Sequence, residues 1–362
     1  MINIVYNTIY FKFNKRSLKR CINVYLKGDL FSQLSYQHIY TIKKRNMLSN
    51  IPILLLLIIV GCFLLIKGAD FLVDNSTLLA KCYKIPMLVI GMTIVAFGTS
   101  MPEMIVNIIS SIEGNTTIAL TNIYGSNFIN VLIILGLSAL IFPIASKKET
   151  LKVDIPLMIV VSCLMLLFNL TERTIQRFEG FFLLIIFSFF LFTQYMNTKN
   201  IVEETYEYVS KNNLWKYILL IITGLVFLIV GGKMVVCGAE NLAQRLGVPD
   251  SIIGLTIVAL GTSLPELVTS CVAACKKNVD IALGNIVGSN IFNILCIIGI
   301  SSLISPLPMY NGVIFDGFVM IMSSILLLIC LKSNKNRELK RWHGILFLGL
   351  YLVYLIYKIM IL

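Results

Sequence analysis

The chain has 362 residues, 57% of them hydrophobic and 13% charged, with a mean hydropathy of +0.88. That balance leaves too little polar surface to cover a water-soluble domain, and the residue alternation of an outer-membrane barrel is absent. The net charge of +12 is no nucleic-acid footprint: residues 1–46 hold nine Lys/Arg against Asp29 and so supply +8 of it, in a stretch with no recognisable binding module.

In chain order, that basic segment of residues 1–46 comes first and reads as an extension that is either not translated or disordered. Ten apolar stretches follow, near residues 51–73, 86–111, 118–143, 154–170, 179–197, 217–236, 249–273, 281–305, 313–331 and 343–361. Most approach the roughly 20 residues that a helix needs to cross a bilayer. The longest polar connection between them is a short linker, residues 198–214, which separates a first group of five spans (residues 47–197) from a second (residues 215–362). The expected fold is therefore all-α and integral to the membrane, with ten transmembrane helices and membrane lipid as the surrounding partner.

Loop charge gives an orientation, because cytoplasmic loops are enriched in Lys and Arg. Connections after odd-numbered spans hold fifteen such residues, from Lys81 to Arg341, whereas those after even-numbered spans hold only Arg173, Arg177 and Arg245. Odd connections and the linker are thus expected inside and both termini outside. The basic first 46 residues would then lie on the wrong side, and Met47, directly before the first span, offers a translation start that removes the conflict. Mass spectrometry of the native N-terminus tests this: a peptide from residues 1–46 would end the idea.

The two halves repeat. Glu103 and Glu266, Gly91 and Gly254, Pro86 and Pro249, Gly61 and Gly224, and Pro143 and Pro306 are all separated by 163 positions. Between Gly91–Met104 and Gly254–Leu267 ten of fourteen residues are identical, and between Asn122–Asn130 and Asn285–Asn293 six of nine. Five spans per copy is an odd number, so the second copy enters the membrane from the opposite face. Such inverted repeats are an architecture that many secondary transporters use, with the binding site on proline- or glycine-interrupted spans of both halves.

Those spans carry "VAFGTSMPEM" and "VALGTSLPEL". Pro102 and Pro265 have no amide hydrogen for the carbonyls of Gly98 and Gly261. Carbonyls freed at membrane depth are tolerated only against protein or an aqueous cavity. An intramembrane carboxylate is costly and marks a functional candidate, which here means Glu103 and Glu266. Thr99 and Thr262 lie one turn before the acids. "NIYGSNFIN" and "NIVGSNIFN" on the next spans place Ser126 with Asn130, and Ser289 with Asn293, each pair on one helix face. One such Glu alone can be a structural partner for a Lys or a helix end, and one Ser or Asn is more often a helix-packing residue than a ligand; recurrence of the whole set at one offset is not explained that way. The donors are all oxygen, which suits hard cations such as Ca²⁺ and Na⁺ rather than zinc or copper. Nine scattered cysteines with no CxxC or zinc-like spacing add no metal centre, and no cofactor is expected. Lys67, Asp70 and Lys233 in the first and sixth spans, with Glu240 just beyond the sixth, read as snorkelling or paired side chains, or else as the lining of an access path.

"GMTIVAFGTSMPE" with "NIYGSNFIN", and "GLTIVALGTSLPE" with "GNIVGSNIFN", resemble the two α-repeats of the sodium/calcium exchanger family, within the cation/calcium antiporters, over all spans from Ile51 to Leu362. The short central loop resembles prokaryotic members. The resemblance implies ten helices, both termini extracellular, and four ion sites in a central diamond. Glu103 and Glu266 would be the principal calcium ligands, shared with sodium, and Thr99 and Thr262 would join the calcium site. Ser100, Ser126, Asn130, Ser263, Ser289 and Asn293 would line the sodium sites or the middle of the diamond, and Ala96 and Ala259 would offer backbone carbonyls. The first and sixth helices would slide across the bundle to switch access. Many prokaryotic and potassium-dependent members have Asp where this chain has Asn293, which weakens the case for potassium co-transport.

Two carboxylates neutralise one Ca²⁺, and three Na⁺ at the same acids would leave one positive charge, making the exchange voltage-sensitive by about 2.3 kcal/mol per charge per 100 mV. The function expected is Na⁺/Ca²⁺ antiport by a monomer in the plasma (inner) membrane. A Ca²⁺/H⁺ or potassium-dependent antiporter on the same scaffold is the alternative, and a cation channel a more distant one. An intramembrane enzyme is disfavoured: His38 and His343, the only histidines, lie away from the serine motifs, and HExxH is absent.

Overall fold

The structure is a computed structural model that describes residues 51–200, 213–248, 253, 257, 259–333 and 335–361. The chain divides into Met1–Leu55 and Leu56–Leu362. Of the first unit only residues 51–55 are described, as the opening of α1. The basic extension, the start site at Met47 and most of the central linker lie outside the described residues.

Twelve helical elements follow one another among the described residues: α1 (Ile51–Tyr83), α2 (Met87–Thr99), α3 (Met101–Ile112), α4 (Thr116–Ile141), α5 (Thr150–Glu172), α6 (Arg177–Asn200), α7 (Leu214–Arg245), α8 (Ala259–Thr262), α9 (Leu264–Cys275), α10 (Val279–Ile304), α11 (Val313–Lys332) and α12 (Arg341–Ile361). Eight are long and apolar enough to cross a membrane, and a ninth span results if the bent pair α2/α3 counts as one. Of the span expected at 249–273, the structure describes residues 253, 257 and the stretch from Ala259 onward, which forms α8 and α9.

Several helices outrun their apolar stretches. α1 continues ten residues past the expected end, through Asp74 and Lys81, to Tyr83. A helix of 33 residues is about 50 Å long against a hydrocarbon core of about 30 Å, so its polar end has room to leave the membrane. Polar residues end an apolar stretch without ending the backbone hydrogen-bond ladder. The ladder stops instead at Lys84, in the left-handed region at φ 55°, and at Pro86, which cannot continue it.

Burial sets the layers. In their most apolar windows α4 is 83% and α10 89% buried, against 22% for α1, α6 and α12. The central pair carries the repeated Ser and Asn residues on its buried faces, and the outer helices turn Phe63, Phe189, Trp342 and similar side chains outward. That inversion is expected where lipid is the solvent and polar groups must find partners inside.

α1 and α7 pack against each other through glycine. A Cβ on Gly68 would meet the Gly224 carbonyl at 2.7 Å, one on Gly224 the Gly68 carbonyl at 2.7 Å, and the same holds between Gly61 and Gly231 at 2.8 and 2.7 Å. The contacts run 61 to 231 and 68 to 224, so the helices are antiparallel, with backbones as close as small residues allow.

Element bounds recur at the 163-residue offset. α1 and α7 start at 51 and 214, α3 and α9 span 101–112 and 264–275, α4 and α10 start at 116 and 279, and α5 and α11 at 150 and 313. Two short antiparallel pairings join the halves crosswise: Ile144–Ala145 (β1) with Glu338–Leu339 (β4), and Thr174–Ile175 (β2) with Leu307–Pro308 (β3).

Candidate cation site

The site starts from the break between α2 and α3. Ser100 leaves the helical region at φ −83° and ψ 8°, and the two helices meet at 48°. Pro102 occupies the first turn of α3, where a missing N–H breaks no ladder bond. Glu103 therefore stands in the first turn of a new helix. Ser263, Pro265 and Glu266 repeat the arrangement at the start of α9. The first turn of a helix is a favourable position for negative charge.

Both acids are inside, each 1% exposed, and each is held by the other half. Ser100 Oγ donates to Glu266 Oε1 at 2.8 Å, and Ser263 Oγ donates to Glu103 Oε1 at 3.1 Å. Thr99 Oγ1 donates to Asn285 Oδ1 at 3.1 Å and Thr262 Oγ1 to Asn122 Oδ1 at 3.3 Å. Two motifs 163 residues apart are thus laced into one cluster at the centre of the bundle.

The central helices add a second layer of crossed bonds. Asn127 Nδ2 donates to the Asn290 carbonyl at 3.3 Å and Asn290 Nδ2 to the Asn127 carbonyl at 3.0 Å. Asn130 Nδ2 donates to Asn290 Oδ1 at 2.9 Å and Asn293 Nδ2 to Asn127 Oδ1 at 3.0 Å. With their amide nitrogens committed, Asn130 and Asn293 are left with their carbonyl oxygens free. Just beyond, both helices widen into π turns, Asn130–Leu135 and Asn293–Ile298, a feature frequent at functional sites.

Buried polar atoms without a partner are rare and call for an explanation. Among the described residues there are thirteen, and six belong to three repeat-related pairs: Glu103 and Glu266 Oε2, Ser126 and Ser289 Oγ, and Asn130 and Asn293 Oδ1. All six oxygens come from the sequence-identified set. An all-oxygen group with two carboxylates is suited to Ca²⁺ or Na⁺. Of the backbone carbonyls expected to contribute, that of Ala96 accepts from Ser100 N at 3.0 Å and from Thr99 Oγ1 at 3.3 Å. Ala259 opens α8.

The residues that shape the site without belonging to the expected set are Asn122, Asn285, Asn127 and Asn290. Asn285 Nδ2 also donates to Ser270 Oγ at 3.0 Å, and Asn122 Nδ2 to Asn107 Oδ1 at 2.7 Å. Their recurrence at the same offset was the available signal.

The halves differ in one respect. A cavity of about 390 Å³ reaches Thr262, Asn122, Gly125 and Ser126 and is bordered farther out by Tyr310, Asp316 and Lys358. Thr121 on its wall is exposed, and a Cβ on Gly125 would meet nothing within 4 Å among the described residues. The repeat-mates of these positions are closed. Thr99, Asn285 and Ser289 are 0% exposed, and a Cβ on Gly284 or Gly288 would strike the Leu88 carbonyl at 2.8 Å or the Met92 carbonyl at 2.5 Å. α2 lies tight on α10, whereas the corresponding face of α4 lines the cavity.

The family profile described as sodium/calcium exchanger protein matches residues 53–196 and 216–360, one stretch in each half. The chain belongs to the sodium/calcium exchanger family. It is 35% identical over 318 residues to the inner membrane protein YrbG of Escherichia coli, covering 83% of this chain and 94% of that one. It is 32% identical over 341 residues to the sodium/calcium exchanger MaX1 of Methanosarcina acetivorans, covering 83% and 97%. Structures of the sodium-calcium exchanger NCX_Mj superpose with a TM-score of 0.74 at 32% identity, covering 84% of this chain and 98% of that one. As a member of the exchanger family the chain is a multi-pass integral membrane protein, and its family is one of membrane ion exchangers rather than enzymes.

Proposed function

We propose that the protein exchanges Na⁺ for Ca²⁺ across the membrane by alternating access, with Glu103 and Glu266 as the shared cation ligands. The observation that carries this reading is the set of six buried, unpartnered oxygens arranged as three repeat-related pairs about the crossed serine–glutamate bonds. Buried carboxylate oxygens without donors are costly unless a cation or proton visits them. The oxygens are hard donors, and the exchangers MaX1 and NCX_Mj are named for sodium and calcium. In the proposed roles Thr99, Thr262 and the carboxylates hold Ca²⁺. Ser100, Ser263, Ser126, Ser289, Asn130 and Asn293 complete the sodium positions, with backbone oxygen from Ala96 and Ala259.

Ten membrane helices in two inverted five-helix repeats, residues 47–197 and 215–362 with a cytoplasmic linker at 198–214, account for the shared element bounds and the crossed β pairings. The one-sided cavity supports alternating access. Equivalent positions are open beside α4 and closed beside α10, so giving each half the conformation of the other moves the opening to the opposite face. The cavity lies on the side of the 113–115 and 306–312 connections, which the loop charges put outside, so this state is outward-open. Loop charge likewise puts both termini outside, and the name of YrbG supports an inner-membrane location. One chain supplies every group of the site, consistent with a working monomer. Calcium uptake into proteoliposomes should require an opposed sodium gradient and be unaffected by replacing K⁺ with choline. Uptake that follows pH and ignores sodium would mark a Ca²⁺/H⁺ antiporter, and single-channel currents a pore.

A further inference from the structure

The glycine-packed pair α1/α7 is tied down at one end. Lys276, in the connection after α9, places Nζ 2.8 Å from Asp70 Oδ1 and 2.7 Å from Asp74 Oδ1, both on α1. Two residues on, Asn278 Nδ2 donates to Thr77 Oγ1 of α1 at 3.4 Å. Burial alone would lower the pKa of Lys276, but the hydrogen bonds and charges of Asp70 and Asp74 outweigh it and raise the pKa above the ordinary lysine value. The ammonium therefore stays charged.

Carried across by 163 residues, Lys276 corresponds to Glu113, Asp70 to Lys233, Asn278 to Asn115 and Thr77 to Glu240, while Asp74 falls on the uncharged Cys237. For the ion pair the signs are exchanged. At one end the base is in the connection and the acid on the helix; at the other the acid Glu113 caps α3 and the base Lys233 is on α7. Had only one sign changed, the contact would repel. With both exchanged it still attracts, and Asn115 can still donate to Glu240. Yet Glu113 and Lys233 are both exposed, and neither side chain makes an ion pair or hydrogen bond among the described residues.

We propose that Glu113 and Lys233 form a second latch that closes only in the opposite-access state, so that the α1/α7 pair is held alternately by Lys276 at one end and Glu113 at the other. This rests on the alternating-access reading. When the halves exchange conformations, the close contact between Lys276 and Asp70 is inherited by Glu113 and Lys233, and the first latch opens. Lys276 meets two acids where Glu113 would meet one base, but both contacts reach solvent and are individually weak, so neither state is trapped. Losing one would bias the equilibrium by about fivefold at most, the size of a surface ion pair.

Two experiments in proteoliposomes test it. In the first, Glu113→Lys and Lys233→Glu each slow turnover by about three- to fivefold, leave the apparent Ca²⁺ affinity unchanged and are rescued in the doubly exchanged protein. Unaltered turnover in both single variants, or no rescue, overturns the latch. In the second, Glu113→Cys/Lys233→Cys and Asp70→Cys/Lys276→Cys are cross-linked by oxidation in a cysteine-free background under opposed Na⁺ and Ca²⁺ gradients. The two pairs are expected to respond in opposite directions. If only the Asp70/Lys276 positions respond, the latch fails and alternating access stands. If neither pair responds in protein that transports, alternating access fails and takes the latch with it.

Discussion

Removing the serine hydroxyls tests how the two halves support each other's acid. Ser100→Ala deletes the donor 2.8 Å from Glu266 Oε1, and Ser263→Ala the donor 3.1 Å from Glu103 Oε1. In each case a carboxylate that is 1% exposed loses its hydroxyl partner from the other half, while its second oxygen, Oε2, has no partner among the described residues. A hydrogen bond to a charged group contributes about 1.5–3 kcal/mol. Its loss should weaken apparent Ca²⁺ affinity by about tenfold to a hundredfold, chiefly because the freed carboxylate is no longer aimed at the cation. Ser→Ala removes one oxygen and adds no bulk, so folding yield should hold. The assay is the calcium dependence of sodium-driven uptake for the wild type, both single variants and the double variant. Near-equal losses in the singles are expected from the repeat symmetry. Affinities within twofold of wild type in both singles would refute the idea that each half positions the other's ligand.

Two other substitutions probe the architecture. Gly288→Ala puts a methyl group 2.5 Å from the Met92 carbonyl, where overpacking costs about 1–3 kcal/mol, and should lower Tm; Gly125→Ala meets no atom of the described residues within 4 Å and should not. Gly125→Ala should nonetheless slow turnover, because position 125 acquires the crowded surroundings of 288 when access reverses; normal turnover would contradict that exchange. Asn127→Ala leaves the Asn293 amide without its acceptor and should cost about 1–3 kcal/mol of stability along with sodium affinity; a thermal melt and a sodium titration that both match wild type would exclude the role assigned to it.

Much of this was legible in the residues. The offset, the acids beside prolines and the choice of oxygen ligands follow from sequence alone, because intramembrane carboxylates and helix breakers are expensive and cannot recur by accident. The crossing was not legible. Ser100 lies three residues before Glu103, yet it bonds Glu266, and only the packing of α3 against the other half decides that. The framing asparagines repeat as faithfully as Asn130 and Asn293, but an amide with four hydrogen-bonding positions does not announce whether it faces an ion or holds a neighbour. Least legible was the asymmetry. Gly125 and Gly288 stand in nearly the same motif, and one is open while the other is pressed against Met92. Near-identical sequences cannot encode such a difference between the halves. Element ends were displaced for a simpler reason: polar residues such as Asp74 close a hydrophobic stretch without closing a helix.

The most direct measurement is sodium-driven calcium uptake by Glu103→Gln and Glu266→Gln protein reconstituted beside wild type. Each substitution keeps the side-chain shape and removes one of the two negative charges that balance Ca²⁺. The account predicts that wild-type protein takes up calcium against the sodium gradient and that both variants lose the uptake while remaining folded. Calcium uptake at the wild-type rate by either variant would contradict it.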